Sequence, residues 1–359
     1  MGLLDYILGL FGLNKGKALK QADSVLNVPK TVQESIPYLG VYENGIFQIN
    51  EDTFSKAYTI PDMNFAIEST ERQKEIFGNF MEFISSFGTD VHIQEITYNK
   101  TIKNAELEQK ILIPMANDRL NEYRDEMNEM LIDKMSVARN NIIHERYFAV
   151  SVTASDISDA KNVFARIDTE LGKGIQRVTG SHSRTLSLQE RLSVLYEIYN
   201  MDSSVPLYRR MRIRNGESME SFNMKHIMKM GLTSKDIIGP SSLIFERDHM
   251  VIGNTYARAL FLSDLPTFLR GDILTELSNM PFNMLVSVHY RSMPQDKANK
   301  LLNNKLVDVN ANIVTLQKRA SKGGYSPDAI SPEIKQAAKE VEGMIADITQ
   351  DNQKLFYTT

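Results

Sequence analysis

Residues 69–87, STERQKEIFGNFMEFISSF, and residues 91–98, VHIQEITY, decide the fold of this 359-residue chain. In the first stretch, apolar side chains recur at helical spacing between Ile76 and Phe87, which predicts an amphipathic helix. In the second, apolar and polar side chains alternate, which predicts a half-buried strand. A helix that leads directly into such a strand is typical of a sheet with helices packed on it.

Further elements flank this pair on both sides. Upstream, YLGVYENGIFQI (38–49) places Asn44-Gly45 between two apolar runs, which is a hairpin signal. The remaining predicted elements are a strand at FSKAYTI (54–60), helices over about 105–113 and 118–140, a strand at RYFAVSVTA (146–154) and a helix over 155–171. In the helix over 118–140 we expect Met127, Met130 and Met135 to face the interior, because charged side chains occupy its other faces.

The same order of elements returns in the second half of the chain. The predicted elements there are strands at LIFERDHMVI (243–252) and YARALFL (256–262), a helix to Met280, a strand at NMLVSVHY (283–290), and helices over 295–320 and from Pro332. This pattern repeat, at a spacing of about 200 residues, predicts an α/β (α+β) protein. Its two similar, mostly antiparallel sheets are expected to be covered by helices and linked by a looser middle region.

Four segments follow from this pattern. Residues 1–30 are an apolar N-terminal segment and tether, 31–177 a first α/β domain, 178–240 a bridging region with a helix and a basic hairpin, and 241–359 a second α/β domain. The second domain is expected to be truncated, because KLFYTT (354–359) matches the start of a strand whose covering helix has no counterpart. We expect Leu355 to Tyr357 to pair with a neighbouring strand, that at 283–290, or else to be disordered beside an exposed patch.

Composition excludes several classes of protein. The 41 basic and 45 acidic side chains give a net charge of -4, so the chain as a whole is not a nucleic-acid-coating protein. It has no cysteine, which excludes disulfides, a thiol nucleophile and cysteine-ligated metals and fits a reducing cytoplasm. No apolar run in the sequence approaches the ~20 residues that a membrane-spanning helix needs.

The sequence carries no complete enzyme motif. Gly-Lys-Ser and Gly-Lys-Thr do not occur, so the usual phosphate-binding loop is missing. Gly172-Lys173-Gly174 lacks the third glycine of a dinucleotide fingerprint and is expected to end a helix. The six histidines are dispersed, and His92 and His289 fall on corresponding strands, which favours a shared packing role. No catalytic, cofactor-binding or metal-binding residue is therefore assigned, and no cofactor is expected.

The N-terminus is the first candidate contact surface. Its apolar side chains would cover most of a short helix, and they are Leu3, Leu4, Ile7, Leu8, Leu10 and Phe11. Such a helix could lie on a membrane surface or fill a groove on a partner. The alternative is a short docking segment or a frayed terminus.

A basic hairpin is the second candidate. Arg209, Arg210, Arg212 and Arg214 precede the Asn215-Gly216 turn, and on a strand the last three arginines share a face. They could bind phosphate or an acidic loop of a partner. The alternative is a solvated edge that its charge protects from aggregation.

Several long stretches resemble one family. They are TVQESIPYLGVYENG (31–45), YRDEMNEMLIDKM (123–135), GPSSLIFERDHMVIGNTYARALFLSDLPTFL (239–269), NMLVSVHY (283–290), ASKGGYSPDAISPE (320–333) and NQKLF (352–356). The chain resembles, from about Val28 onward, the conjugal-transfer ATPases of type IV secretion systems. These are the TraE/TraC and VirB-type traffic ATPases, in the form carried by mobile elements of Gram-positive bacteria.

The resemblance implies a role without catalysis on this chain. Family members carry a RecA-like motor with a phosphate loop and a metal-binding acidic strand, and this sequence has neither. The expected function is that of the N-terminal region, which docks onto inner-membrane channel components and supports subunit assembly. The chain would be cytoplasmic and peripheral at the inner face of the plasma membrane. A separately encoded motor domain and further copies of the chain are the other expected partners.

Two alternatives stay open at this point. One is a stand-alone nucleic-acid-binding adaptor that uses the hairpin of Arg209 to Arg214, for which a steep salt dependence is expected. The other is an enzyme of an unrecognised type, which would need a polar pocket that the sequence does not reveal.

The missing phosphate loop generates the first testable prediction. The purified chain should neither bind nor hydrolyse ATP-Mg, because the triphosphate has no lysine-bearing cradle of backbone amides. Isothermal titration calorimetry measures this directly. Micromolar binding that a point change in this chain abolishes would show the assignment to be wrong.

Overall fold

The computed structural model describes residues 29–63, 65–101, 112–136, 142–201, 207, 224–229, 231–261, 276–277, 280, 282–322, 332–350 and 353–358. The strands are β1 (Gly40–Val41), β2 (Phe47–Gln48), β3 (Thr53–Thr59), β4 (Val91–Thr101), β5 (Ile142–Thr153), β6 (Leu243–Phe245), β7 (Met250–Ile252), β8 (Thr255–Ala257), β9 (Met284–Ser292) and β10 (Phe356–Thr358). The helices are α1 (Val32–Ser35), α2 (Thr70–Ser86), α3 (Asn121–Ser136), α4 (Ile157–Thr179), α5 (Leu188–Tyr199), α6 (Met224–Lys229), α7 (Ser234–Ile238), α8 (Gln295–Lys322) and α9 (Pro332–Gln350).

These elements form two sheets, and the predicted fold class is confirmed. One sheet has the strand order β1-β2-β3-β5-β4-β9-β10, and the other has the order β6-β7-β8. Every pairing in both is antiparallel. The two sheets are unequal, however, and the expected likeness between two halves is not seen in the described residues.

The two sheets differ in size because β9 joins the larger one. The sequence assigns NMLVSVHY to a second sheet, but β9 pairs with β4 from His92↔Arg291 to Asn99↔Met284. This pairing satisfies the backbone groups of β4 that β5 leaves free, because a strand in a sheet has two hydrogen-bonding edges. Phe356–Thr358 then pairs with Tyr290 to Ser292, so the predicted pairing of the last segment is confirmed.

The chain divides into two compact units, each built from two stretches. One takes the segment that ends at Pro37 together with Leu192–Arg258, and the other takes Tyr38–Arg191 with Ala259–Thr359. This division differs from the predicted one at 177 and 240. Of the strands expected in residues 241–359, β6 to β8 lie in the first unit, and β9 and β10 lie in the second.

The larger unit has its core on one face of the seven-stranded sheet. Side chains that alternate along β3, β4 and β5 pack there against the apolar faces of α2 and α4. The buried residues of this core include Phe54, Tyr58, Ile76, Phe83, Ile84, Val91, Ile93, Phe148, Val150, Val152, Phe164, Ile167 and Leu171. Helices α8 and α9 pack on each other, and a second, smaller core forms around Met293, Ala298, Leu302 and Ile348.

Local sequence signals set the ends of several elements. The Ser69 side chain caps α2, and the Asp156 side chain caps α4, by accepting a hydrogen bond from a first-turn amide. Gly45 turns the β1–β2 hairpin with a φ of 76°, in the region that favours glycine. A Cβ at this position would also overlap the carbonyl oxygen of Leu186. The predicted hairpin and the helix over 69–87 are confirmed.

A partly buried ion pair fixes α4 to β3. Lys56 lies on the helix-covered face, and its Nζ is 2.9 and 2.7 Å from the two carboxylate oxygens of Asp168. The Tyr58 hydroxyl donates to the same carboxylate at 2.8 Å. Burial and this neighbouring carboxylate raise the pKa of Tyr58, so that its hydroxyl stays protonated. The lysine and the tyrosine therefore hold a partly exposed carboxylate of α4 against β3, and these groups serve structure.

Gly174 lies within α4 and allows α2 to approach. The sequence predicts that Gly172-Lys173-Gly174 ends a helix, but α4 continues to Thr179. A Cβ on Gly174 would overlap the ring of Phe83, whereas a Cβ on Gly172 would meet nothing within 4 Å. Close packing between helices thus explains the second glycine without any ligand.

Gly174→Ala should destabilise the protein by about 1–3 kcal/mol, because the added methyl group overpacks the contact with Phe83. Gly172→Ala is the matched control, two residues away on the same helix. It should stabilise the protein by up to about 1 kcal/mol through helix propensity. Urea denaturation measures both changes, and equal effects of the two substitutions would refute this role for Gly174.

Candidate docking surface

Both contact surfaces predicted from the sequence lie outside the described residues. The apolar set from Leu3 to Phe11 precedes residue 29, and the arginines from Arg209 to Arg214 fall between 207 and 224. Both stay predictions. The candidate site must therefore be built from side chains that the sequence did not single out as contacts.

A chain of polar side chains crosses the sheet between β4 and β9. Gln94 Nε2 donates to Ser287 Oγ at 2.8 Å, and Ser287 Oγ lies 3.0 Å from His289 Nε2. The Nδ1 atom of His289 is in turn 3.0 Å from Nε2 of His92. Since the glutamine amide nitrogen can only donate, we assign a one-way chain in which His289 carries its proton on Nδ1 and His92 accepts on Nε2.

This histidine pair corrects the interpretation made from sequence. His92 and His289 do not hold equivalent places in two sheets, because their rings stack against each other with centroids 5.1 Å apart. Burial lowers the pKa of both imidazoles, and for His92 the neighbouring His289 and Arg291 lower it further. Within the described ranges, no three His, Asp or Glu side chains are grouped closely enough to hold a metal ion. The pair therefore serves as a neutral link between two strands.

A second, partly buried contact joins the same two strands on the opposite face. The Tyr290 hydroxyl donates to Glu95 at 3.0 Å. Burial raises the pKa of the Glu95 carboxyl, and the hydrogen bond from Tyr290 and the charge of Arg146 oppose that rise. This carboxylate resembles a tuned catalytic acid, but its partners lie within the packed sheet, so the contact is structural.

Arg191 is a buried cation whose donors are taken up by the protein itself. Its guanidinium donates to the Ser55 carbonyl at 2.6 Å, to the Ser55 hydroxyl at 2.7 Å and to the Gly45 carbonyl at 3.1 Å. It also lies 4.0 Å from the ring centroid of Phe47. Burial lowers its pKa to about 9. Arg191 thus holds the first turn of α5 to the β2–β3 region within the larger unit, and its described hydrogen bonds go to protein groups.

Helix α3 exposes the side chains that the sequence predicts to be internal. Met127 is 46% exposed, Met130 51% and Tyr123 67%. The expectation for these two methionines is wrong, and the side chain of Met135 lies outside the described set. The apolar side chains Tyr123, Met127 and Met130 face solvent. An exposed methionine-rich stripe is characteristic of adaptable binding surfaces.

The other face of α3 is held by the segment that precedes it. The Asn128 amide makes a two-way contact with the backbone of Ile113, donating at 3.0 Å and accepting at 2.8 Å. Asn121 makes the same kind of contact with Ala116. Arg124 forms a bidentate ion pair with Asp118, which lowers the pKa of that carboxyl to about 2. The stripe is therefore presented in a fixed orientation relative to residues 113–118.

A second exposed apolar surface lies on the small sheet. Strands β6, β7 and β8 place Ile244, Val251 and Tyr256 in one row across its face. Ile244 is 49% exposed and Tyr256 76%, while Phe245, on the opposite face, is 64% exposed. A three-stranded sheet gains its stability from burying at least one apolar face. This sheet, which we call the meander, leaves large apolar side chains in solvent on both faces.

Comparison with known proteins gives no family for the chain. No protein-family model matches it, and no curated protein matches it significantly. In the described part of the chain, no helix has both the length and the apolar character needed to cross a bilayer. The candidate site in the described residues therefore consists of two apolar surfaces, the stripe of α3 and the meander.

The histidine pair predicts a specific pH dependence of stability. The pKa of each imidazole is lower in the folded chain than the unfolded value of about 6.5. Protonation thus favours unfolding, and the contribution of the pair should be present above pH 6.5 and be lost as pH falls below it. Urea midpoints at pH 7.5 and 5.5 should differ less in His92→Gln/His289→Gln than in the wild type. If the double substitution leaves the difference in urea midpoint between the two pH values unchanged, the histidine pair is not the source of that difference.

Proposed function

We propose that this chain is the non-motor docking region of a conjugative DNA-transfer ATPase of the type IV secretion class. It would attach to inner-membrane channel components, support assembly of the machine, and work in the cytoplasm at the inner face of the plasma membrane. The proposal rests on the family resemblance of its motifs and on the apolar surfaces described above. Its motor partner would be a RecA-like ATPase, and this chain would contribute no ATPase activity.

The observation that carries the proposal is the exposed meander. Its strands come from residues 239–269, one of the stretches that resemble the family. The row of Ile244, Val251 and Tyr256 has the aromatic and aliphatic character of an interface centre. Because the opposite face also exposes Phe245, a partner that covers either face would stabilise the meander. An interface with other subunits would bury these apolar side chains, which face solvent in the isolated chain.

The second candidate, a nucleic-acid adaptor, depends on the cluster of Arg209 to Arg214. That cluster is outside the described residues, and the net charge of -4 does not favour general phosphate binding. The two functions differ in a simple measurement. An adaptor would bind single- or double-stranded DNA with an affinity that falls steeply as salt increases, whereas a docking region would bind only its protein partners.

Replacing Ile244 and Tyr256 together by serine should impair docking. In donor cells that carry the conjugative element, we expect the tagged variant to recover about tenfold less of the inner-membrane channel subunits, and transfer frequency to fall accordingly. The reason is that loss of an interface anchor costs more than about 1 kcal/mol, and about 1.4 kcal/mol corresponds to a factor of ten in affinity. Quantitative mass spectrometry of detergent-solubilised complexes measures the recovery.

Leu39→Ser is the matched control, since Leu39 is also a large exposed apolar residue but lies outside the meander. It should leave recovery and transfer unchanged. Circular dichroism must show all the variants folded. Full recovery of channel subunits by the meander variant, or none by the wild-type chain, would contradict the proposed docking role.

A further inference from the structure

We infer that the exposed face of α3 binds a basic amphipathic helix of a partner protein. This inference rests on the proposed docking function and deepens it, because it assigns a partner chemistry to one surface. Tyr123, Met127 and Met130 stand at positions i, i+4 and i+7, so they form one continuous stripe along the helix. That spacing is the one by which helices recognise each other.

An acidic stripe runs beside the apolar one. Glu122, Glu126 and Glu129 have the same spacing, shifted by one residue, and all three are exposed. Asp125 is also exposed on the acidic side. Over the whole of α3, five carboxylates against two basic side chains leave a net charge of -3. A partner helix with an apolar stripe flanked by Lys or Arg would complement both features at once.

The same charges argue against other occupants. Anionic lipid headgroups and nucleic-acid phosphates would be repelled by the exposed carboxylates beside the stripe. A second copy of α3 would bring its own acidic stripe to the interface, and like charges across an interface are unfavourable. A basic helix, by contrast, would be attracted by the exposed carboxylates beside the stripe.

The hydrogen bonds that hold α3 to the preceding segment suit such binding. Its back face is fixed through Asn121, Arg124 and Asn128, so the stripe does not have to be ordered when a partner arrives. The stripe residues are not among the residues of the two cores in the described part of the chain. They can therefore be changed without removing a core side chain.

The test uses the full chain and two designed helical peptides. The basic peptide carries Leu at i, i+4 and i+7 with Lys on both flanks, and the acidic peptide replaces each Lys by Glu. Fluorescence anisotropy at low salt should show micromolar binding of the basic peptide to the wild type and no binding of the acidic one. Added salt should weaken the interaction.

Two sets of substitutions separate the contributions. Tyr123→Ala/Met127→Ala/Met130→Ala should weaken binding of the basic peptide about tenfold or more, and alanine preserves the helix. Glu122→Lys/Glu126→Lys/Glu129→Lys should abolish binding of the basic peptide and create binding of the acidic one. Phe77→Ala/Met81→Ala, an exposed apolar pair at i and i+4 on α2, is the matched control and should change nothing.

Exchange of peptide preference by the charge-reversed chain would support the inference, because general stickiness cannot produce it. The inference fails if the wild type does not bind the basic peptide. It also fails if the stripe variant binds as well as the wild type, or if the charge-reversed chain keeps its preference. A chain that recovers channel subunits through the meander but ignores the basic peptide overturns this assignment alone. The docking function would then still stand.

Discussion

The pairing of β4 with β9 is the interaction on which the larger unit depends. Eight register pairs, from His92↔Arg291 to Asn99↔Met284, join segments about 200 residues apart. Closing so long a loop costs entropy, although the cost grows slowly with length. The backbone ladder offsets it, together with the side-chain contacts Gln94–Ser287 and Glu95–Tyr290. Through β9 the sheet gains β10, and Tyr290 and Phe356 reach the main core.

This arrangement separates what holds the fold from what meets a partner. The cation–carboxylate pair of Lys56 and Asp168 and the guanidinium of Arg191 are directed at groups inside the protein. Helix α3, by contrast, is inserted in the connection between β4 and β5, two strands that pair along their full described length. Its stripe residues are exposed and are not among the residues of the described cores. Binding surfaces placed in this way can change chemically while the scaffold stays the same.

The local elements were predictable because their signals are local. The spacing of apolar residues and the cap at Ser69 fix α2, and Asn44-Gly45 fixes the first hairpin. The partner of β9 was not predictable, because an alternating pattern fits the edge of either sheet equally well. The exposure of Met127 was missed for a related reason. An apolar stripe looks the same in sequence whether it faces a core or another protein, and only the packing distinguishes the two.

Cysteine cross-linking tests the β4–β9 pairing most directly, because the chain has no cysteine of its own. Ile96→Cys/Ser287→Cys places two thiols on directly paired residues and on the same face of the sheet. Ile96→Cys/Val286→Cys is the control, since a shift of one residue directs the second side chain to the opposite face. A short thiol-specific cross-linker should join the first pair rapidly and within one chain, and the second pair poorly. Equal cross-linking of both pairs, or none of the first, would contradict a single sheet built from both halves of the sequence.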